Sequence, residues 1–277
     1  MREYRFIAGL PRSGSTLLTG LLNQHPKIYS GPTSPMCDTL RQVGGNILPN
    51  NEFWQANPKD NVASNILYGI MDGYYSDIDA EVIVDKSRGW MTGPDIFGAL
   101  ELDDPKIVLT VRSFDEIITS FLKVIDKSLN SADGTRLNFV DKALATNDLP
   151  MTNENRIKHM ISGNGVVGRS SDGLRKAMEV LNPEHYMIVE YNDLVDNNQQ
   201  VMDKIFEFYG VESIEINSNE VETYPENDYQ VYGVEGLHDI RSKVENTADD
   251  PKDWIPEELL EEIQSGKFEF WRETDGI

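Results

Sequence analysis

Gly9 and Gly14 bracket Leu10-Pro11-Arg12-Ser13, and Ser15-Thr16-Leu17 follow directly. These residue types suit anion chemistry. Glycine lets backbone N–H groups approach a bound anion, arginine presents a forked cation, and hydroxyls add donors. The two glycines have the spacing of a P-loop, G-x-x-x-x-G-K-[ST]. Here Ser15 stands at the lysine position, and the nearest cation is Arg12, inside the loop. The missing lysine points away from a magnesium-dependent NTPase and toward a site for a different dianionic group.

Further chemistry-bearing residues sit at the ends of apolar runs. Val82-Ile83-Val84 leads into Asp85-Lys86-Ser87-Arg88, and Ile107 to Val111 leads into Arg112. Ser120 lies eight residues after Arg112, about two helical turns on, with Lys123 one turn further. An arginine can bind phosphate bidentately, and a serine hydroxyl supplies another hydrogen bond. Tyr186 to Val189 ends in Glu190-Tyr191, and a late stretch from Tyr229 to Lys243 carries His238, Arg241 and Lys243. Asp85 could mimic the magnesium-binding acid of an NTPase. That is the best support for a kinase reading.

The elements that position these groups follow from periodicity. Phe6-Ile7-Ala8 reads as a buried strand, and Leu17, Leu18, Leu21 and Leu22 recur at helical spacing. Strand, glycine-bearing loop and helix together wrap a phosphate, because the helix end adds roughly half a positive charge. Strands are also expected at residues 81–88, ending in polar residues, and at 106–111 and 186–191. Four strands alternating with helices predict an α/β fold with a central parallel sheet covered on both faces. Residues 27–35 contain Gly31-Pro32 and Ser34-Pro35 and read as a loop over the site. Helices are expected at 36–48, interrupted by Gly44-Gly45, then at 61–75, 113–130, 137–146, 153–161, 174–181 and from 192 to Gly210. Trp54, Tyr68, Tyr74 and Tyr75 are candidates to shape a pocket or fill a core. Gly163-Asn164-Gly165-Val166-Val167-Gly168 spells G-x-G-x-x-G, but it follows a helix rather than a strand. It is therefore read as a connector rather than a dinucleotide loop.

Composition sets the bounds. A chain of 277 residues, 39% hydrophobic, can bury one large core. The net charge of −22, from 47 acids and 25 bases, disfavours nucleic acid and anionic membranes as partners. Bases must then be gathered wherever an anion binds. The single cysteine, Cys37, permits no internal disulfide and suits a reducing compartment. No apolar run approaches a membrane span, and the N-terminus reads as no signal peptide.

Pro11-Arg12-Ser13-Gly14-Ser15-Thr16-Leu17 resembles the 5′-phosphosulfate loop of the sulfotransferase superfamily, which uses 3′-phosphoadenosine-5′-phosphosulfate (PAPS). The helix ending in His25-Pro26 is similar to the protein-tyrosine and heparan branches. The resemblance implies a P-loop-NTPase-like three-layer fold in one domain over 1–277. Segments 31–80 and 131–175 would be acceptor-side insertions, and 225–250 a lid loop. It implies transfer of a sulfonyl group to an acceptor hydroxyl on a phenolic small molecule, a saccharide or a tyrosine, with no metal required. Ser13, Gly14, Ser15, Thr16 and Leu17 would bind the nucleotide with Arg12, Arg112, Ser120, Tyr191, Arg241 and Lys243. Arg12, Lys86 and His238 would be catalytic, and Thr33, Ser34 and Arg88 would face the acceptor.

Two departures stand out. Where the resembled branches carry an acidic base, this chain has Pro32-Thr33-Ser34. Where the cytosolic branch has a histidine two residues after the lysine, it has Arg88. His238 or Asp38 is left as a candidate base, or the acceptor is acidic enough to need none. His25 is read as structural. Golgi relatives carry an N-terminal anchor that this sequence does not show, so a soluble cytoplasmic enzyme, or a bacterial or viral setting, is expected. The alternatives are a P-loop kinase or NTPase using Asp85 and magnesium, and a non-catalytic nucleotide-binding protein.

Overall fold

A computed structural model of the chain describes residues 2–47, 52, 55, 61–129, 136–223, 228–246, 248–265 and 268–272. Trp54 lies outside these residues, as do parts of the segments expected as insertions and lid. The chain opens with β1 (Glu3–Gly9), α1 (Ser15–Leu22), β2 (Ile28–Ser30), α2 (Met36–Ile47), α3 (Val62–Tyr74) and β3 (Val82–Lys86). A 3-10 turn at Arg88–Thr92 leads to α4 (Pro94–Ala99), β4 (Ile107–Val111), α5 (Phe114–Leu129), α6 (Phe139–Thr146) and α7 (Asn153–Ile161). Then come α8 (Val166–Val180), β5 (Tyr186–Glu190), α9 (Tyr191–Asp196), α10 (Asn198–Tyr209), α11 (Asp228–Tyr232) and α12 (Glu257–Ile263).

The strands form one sheet in the order β2-β3-β1-β4-β5, and every pairing is parallel. Parallel strands are buried on both faces, which is why β1, β3 and β4 read as nearly continuous apolar runs. Tyr4, Phe6 and Ala8 of β1 face one layer with Trp90, Phe97 and Leu109. Ile7 faces the other, with Leu18, Leu22, Val84, Val108 and Phe206. Each large side chain so buried stabilises the fold by about 1.5–3 kcal/mol. The order places β1 at the centre, so the loop after it opens at the middle of the sheet's carboxyl edge. That is where ligands of open α/β sheets bind.

Several expected boundaries change. Residues 28–30 are a fifth, edge strand rather than loop, and Ile28-Tyr29-Ser30 is too short to show alternation. Asn23 clamps it: its Nδ2 donates to Ser30 O at 3.0 Å, and its Oδ1 accepts from Ser30 N at 2.7 Å. Gly44-Gly45 do not interrupt α2. The helix expected from residue 174 starts at Val166, inside the G-x-G-x-x-G spelling. That spelling is a helix corner, since a Cβ on Gly165 would sit 1.9 Å from His159 O. The stretch from 192 to 210 divides into α9 and α10, and Gly210 closes α10 at φ 76°.

A buried ion pair ties α6 to α7. Arg156 donates through Nε and Nη2 to the two carboxylate oxygens of Asp141, each at 2.8 Å. Asn138 caps α6 and donates to Asp141 as well, so the carboxylate is fully engaged. Among the described residues no helix is long and apolar enough to cross a membrane.

Candidate functional site

The turn after β1 is shaped by backbone rather than side chains. Gly9 sits at φ 130°, and a Cβ there would lie 2.1 Å from Thr110 O, so the loop can leave the sheet only with glycine at this point. Arg12 and Gly14 are both left-handed, at φ 58° and 84°, and Gly14 precedes the first turn of α1. Ser13 is fully buried. Its hydroxyl donates to Leu10 O at 2.6 Å and lies 2.6 Å from Thr110 Oγ1. Its side chain therefore fixes the loop to β4 instead of facing a ligand.

Above this loop lies a cavity of about 690 Å³. Arg12, Gly14, Ser15, Thr16, Leu17, Thr33, Lys86, Arg88, Arg112, Ser120, Tyr191, His238, Arg241 and Lys243 all line it. Eight of the lining residues are Lys or Arg and five are Asp or Glu, inverting the balance of a chain with 47 acids and 25 bases. The cavity is thus the basic focus that an anionic ligand needs.

The cations are held in definite places. Arg12 Nε donates to Ser120 Oγ at 3.0 Å, joining the loop to the face of α5. Arg112 Nη1 donates to Arg12 O at 3.3 Å, and its guanidinium carbon lies 3.9 Å from the Tyr191 ring centroid. Arg112 Nε also meets Glu116 at 3.3 Å. Burial and the neighbouring Arg112 push the Arg12 pKa down, against Tyr191 and Asp228. Two close guanidiniums favour an added anion between them. Lys86 Nζ, at the end of β3, donates to Thr16 Oγ1 at 2.7 Å and Pro32 O at 2.5 Å. Lys123 pairs with Asp249 at 2.7 Å.

Asp85 does not face the cavity. It is fully buried and accepts from Ser34 Oγ at 2.5 Å, Tyr75 Oη at 2.5 Å and Trp90 Nε1 at 2.7 Å. Burial pushes its carboxyl up, against those three hydrogen bonds. This acid organises the core beneath the site and is not placed as a magnesium ligand. Ser34 is spent on the same acid and on Met36 N, so it is a packing residue and not an acceptor contact. Among the described residues no three His, Cys, Asp or Glu side chains converge as a metal site. Asp38 pairs with Arg41 at 3.5 Å on the outside of α2, away from the cavity. His25 bonds Glu212 O and Lys27 N at the end of α1, and burial pushes the Cys37 thiol up to about 12.

The late segment brings an arrangement that the sequence did not disclose. Val221 N donates to Ser242 O at 2.9 Å, and Val244 N to Ser218 O at 2.8 Å, so the ends of this segment meet. Glu235 N donates to Ser128 Oγ at 2.9 Å, docking the segment on α5. His238 Nδ1 lies 2.7 Å from Asp228 Oδ1, and His238 N donates to Asp228 Oδ2 at 2.8 Å. Asp228 is buried. Nδ1–H then donates to the carboxylate, and Nε2 is left as the accepting nitrogen. Burial pushes the His238 pKa down. Asp228 opposes this, while Lys86 and Arg12 add to it. A neutral imidazole oriented by a buried carboxylate, in a cationic cavity, can accept a proton at neutral pH.

Sequence reasoning missed Asp228, whose ten-residue separation from His238 across irregular chain follows no period. It also missed Thr119, buried on the cavity wall with no hydrogen-bond partner for its Oγ1 among the described residues. Lys127 was legible in principle, one turn beyond Lys123 on the cavity face of α5.

The model of the sulfotransferase family matches residues 6–215. The mouse sulfotransferase SULT7A1 complexed with PAP is similar in fold, with a TM-score of 0.56 at 14% identity, over 99% of this chain and 85% of that one. The sulfotransferase domain of the Synechococcus PCC 7002 olefin synthase gives 0.52 at 17% identity, over 98% and 95% of the two chains. A comparison with curated protein sequences finds no significant match.

Proposed function

This chain belongs to the sulfotransferase family, and we propose that it moves a sulfonyl group from PAPS to the hydroxyl of a small acceptor, with His238 as general base. The observation that carries the donor assignment is the contact of Arg12 Nε with Ser120 Oγ. It joins the loop after β1 to Ser120 on α5, and Arg112, at the end of β4, lines the same basic cavity.

The residues present fit such a donor. Gly9 and Gly14 open the loop, the cavity has the volume of a cofactor site, and the buried Thr119 Oγ1, unpartnered among the described residues, offers a polar contact on its wall. Arg12, Lys86, Thr16 and the loop amides would neutralise the phosphosulfate end. Arg112, Ser120, Arg241 and Lys243 would hold the 3′-phosphate, with Tyr191 fixing the Arg112 guanidinium by stacking. These groups supply charge stabilisation and positioning, which dominate the related phosphoryl transfers.

His238 Nε2 accepts the proton of the acceptor hydroxyl as the new O–S bond forms and the bond to the 5′-phosphate breaks. Asp228 holds the ring in the required tautomer and stabilises the imidazolium that results. Lys86 meets the charge left on the departing 5′-phosphate. Thr33 and Arg88 line the acceptor side.

The test is calorimetric titration with 3′,5′-adenosine bisphosphate, AMP and ATP in the absence of magnesium. Tight binding that depends on the 3′-phosphate is expected. Arg112→Ala should weaken the bisphosphate by about 10–100-fold, the worth of a charge-assisted contact, and AMP much less. Equal losses for both ligands would refute the 3′-phosphate assignment. Binding only of ATP, and only with magnesium, would overturn the sulfonyl-donor reading.

A further inference from the structure

Cations line the cavity in more than one setting. Arg12, Lys86 and Arg112 surround the loop after β1, and both Lys86 and Arg12 act on His238. Arg88 lines the same cavity, and its guanidinium has no hydrogen-bond or carboxylate partner among the described residues. Its titratable neighbours are the neutral Tyr232 and a second cation, Arg169, on α8. An aromatic row that includes Tyr232 lines the cavity as well. The His238 and Tyr232 ring centroids are 5.7 Å apart, Tyr232 and Phe139 6.4 Å, and Phe139 and Phe121 5.9 Å.

We infer that the acceptor is a hydroxylated aromatic acid, with its ring along Tyr232 and Phe139, its hydroxyl at His238 and its carboxylate at Arg88. This rests on the sulfotransferase reading of the same cavity. Arg88 is exposed and lines the cavity of a chain with a net charge of −22, where acids outnumber bases almost two to one. A guanidinium left unpaired beside another cation gains most from an anion brought by the ligand. A guanidinium also matches a carboxylate bidentately, which fixes the direction of the ring and hence the hydroxyl. The aromatic side chains supply the face on which a planar ring packs. A neutral phenol would leave Arg88 without a partner, and a large polyanion would meet the acidic exterior first.

The test compares 4-hydroxyphenylpropionate with its amide, on wild type and on Arg88→Gln. Both are phenols of one shape, so the hydroxyl chemistry is matched. Wild type should favour the acid by at least tenfold in kcat/KM, and Arg88→Gln should cut that ratio about tenfold or more. An unchanged ratio in the variant, or a wild-type preference for the amide, would overturn the inference. If neither phenol turns over, calorimetry of both on the complex with 3′,5′-adenosine bisphosphate decides. Binding of the acid to wild type that weakens tenfold in Arg88→Gln supports the inference, and equal or absent binding of the two phenols refutes it. Failure of the bisphosphate itself to bind would instead count against the donor reading.

Discussion

Asp228→Asn isolates the carboxylate behind the base. The substitution keeps the size of a buried side chain whose Oδ1 lies 2.7 Å from His238 Nδ1. It removes the charge that faces the imidazolium formed during transfer. A hydrogen bond to a charged group contributes about 1.5–3 kcal/mol and a neutral one about 0.5–1.5, so the loss is about 1–1.5 kcal/mol. That is about one pH unit in the His238 pKa and about tenfold in rate. The direction follows from the neighbours. Asp228 raises the His238 pKa against burial, Lys86 and Arg12, so its removal lowers that pKa further. With His238 as the proposed base, turnover needs its neutral form, hence kcat should rise as pH climbs through its pKa. In Asp228→Asn that rise should begin about one unit lower and reach a plateau about tenfold lower. An amide that turns its NH2 toward Nδ1 would place the proton on Nε2 and deepen the loss, as a similar exchange does by about 10⁴-fold in a serine protease triad. The assay is kcat against pH between about 5 and 9, beside titration of 3′,5′-adenosine bisphosphate and a thermal melt. An acid limb that stays in place, with an undiminished plateau in a folded variant, would refute the dyad.

His238→Ala should lower kcat by about 10²–10⁴-fold, the usual worth of a positioned base, while the bisphosphate affinity shifts by less than about threefold. Near-normal turnover would remove His238 from the mechanism. Away from the site, Asp141→Ala leaves Arg156 buried and uncompensated, and urea unfolding should show a loss of about 3–5 kcal/mol. A loss below about 1 kcal/mol would mean that the helices α6 and α7 do not depend on that pair.

What the sequence disclosed follows from how local each signal is. The strand–loop–helix at Phe6–Leu22, and Arg112 with Ser120 two turns apart, are set by short-range periods, and the structure places both on one cavity. Lys86 was legible because it ends an apolar run, and strand ends are where an open sheet presents its ligands. The same logic misled at Asp85. Period 2 puts adjacent strand residues on opposite faces, and partners remote in sequence, Tyr75 and Trp90, claimed its carboxylate. A hydroxyl near a motif can likewise bond backward into the fold, as those of Ser13 and Ser34 do. Asp228 was illegible. It is one of 47 acids, opens the short helix α11, and meets His238 only through the path of the segment between them. The extra helical turns of α8 were hidden by glycines that serve close packing rather than a turn.

The two backbone hydrogen bonds at Val221–Ser242 and Ser218–Val244 have an evolutionary consequence. They close a neck, so the intervening chain hangs on the donor scaffold as a cassette with adjoining ends. Changing the length of such a piece costs little, because closure entropy grows only slowly with loop length. Asp228, Tyr232, His238 and Arg241 all ride on it, beyond the stretch at residues 6–215 that the family holds in common. Descendants of this chain can therefore exchange the proposed base, the aromatic wall and Arg241 together while the loop after β1, Arg112 and Ser120 stay untouched.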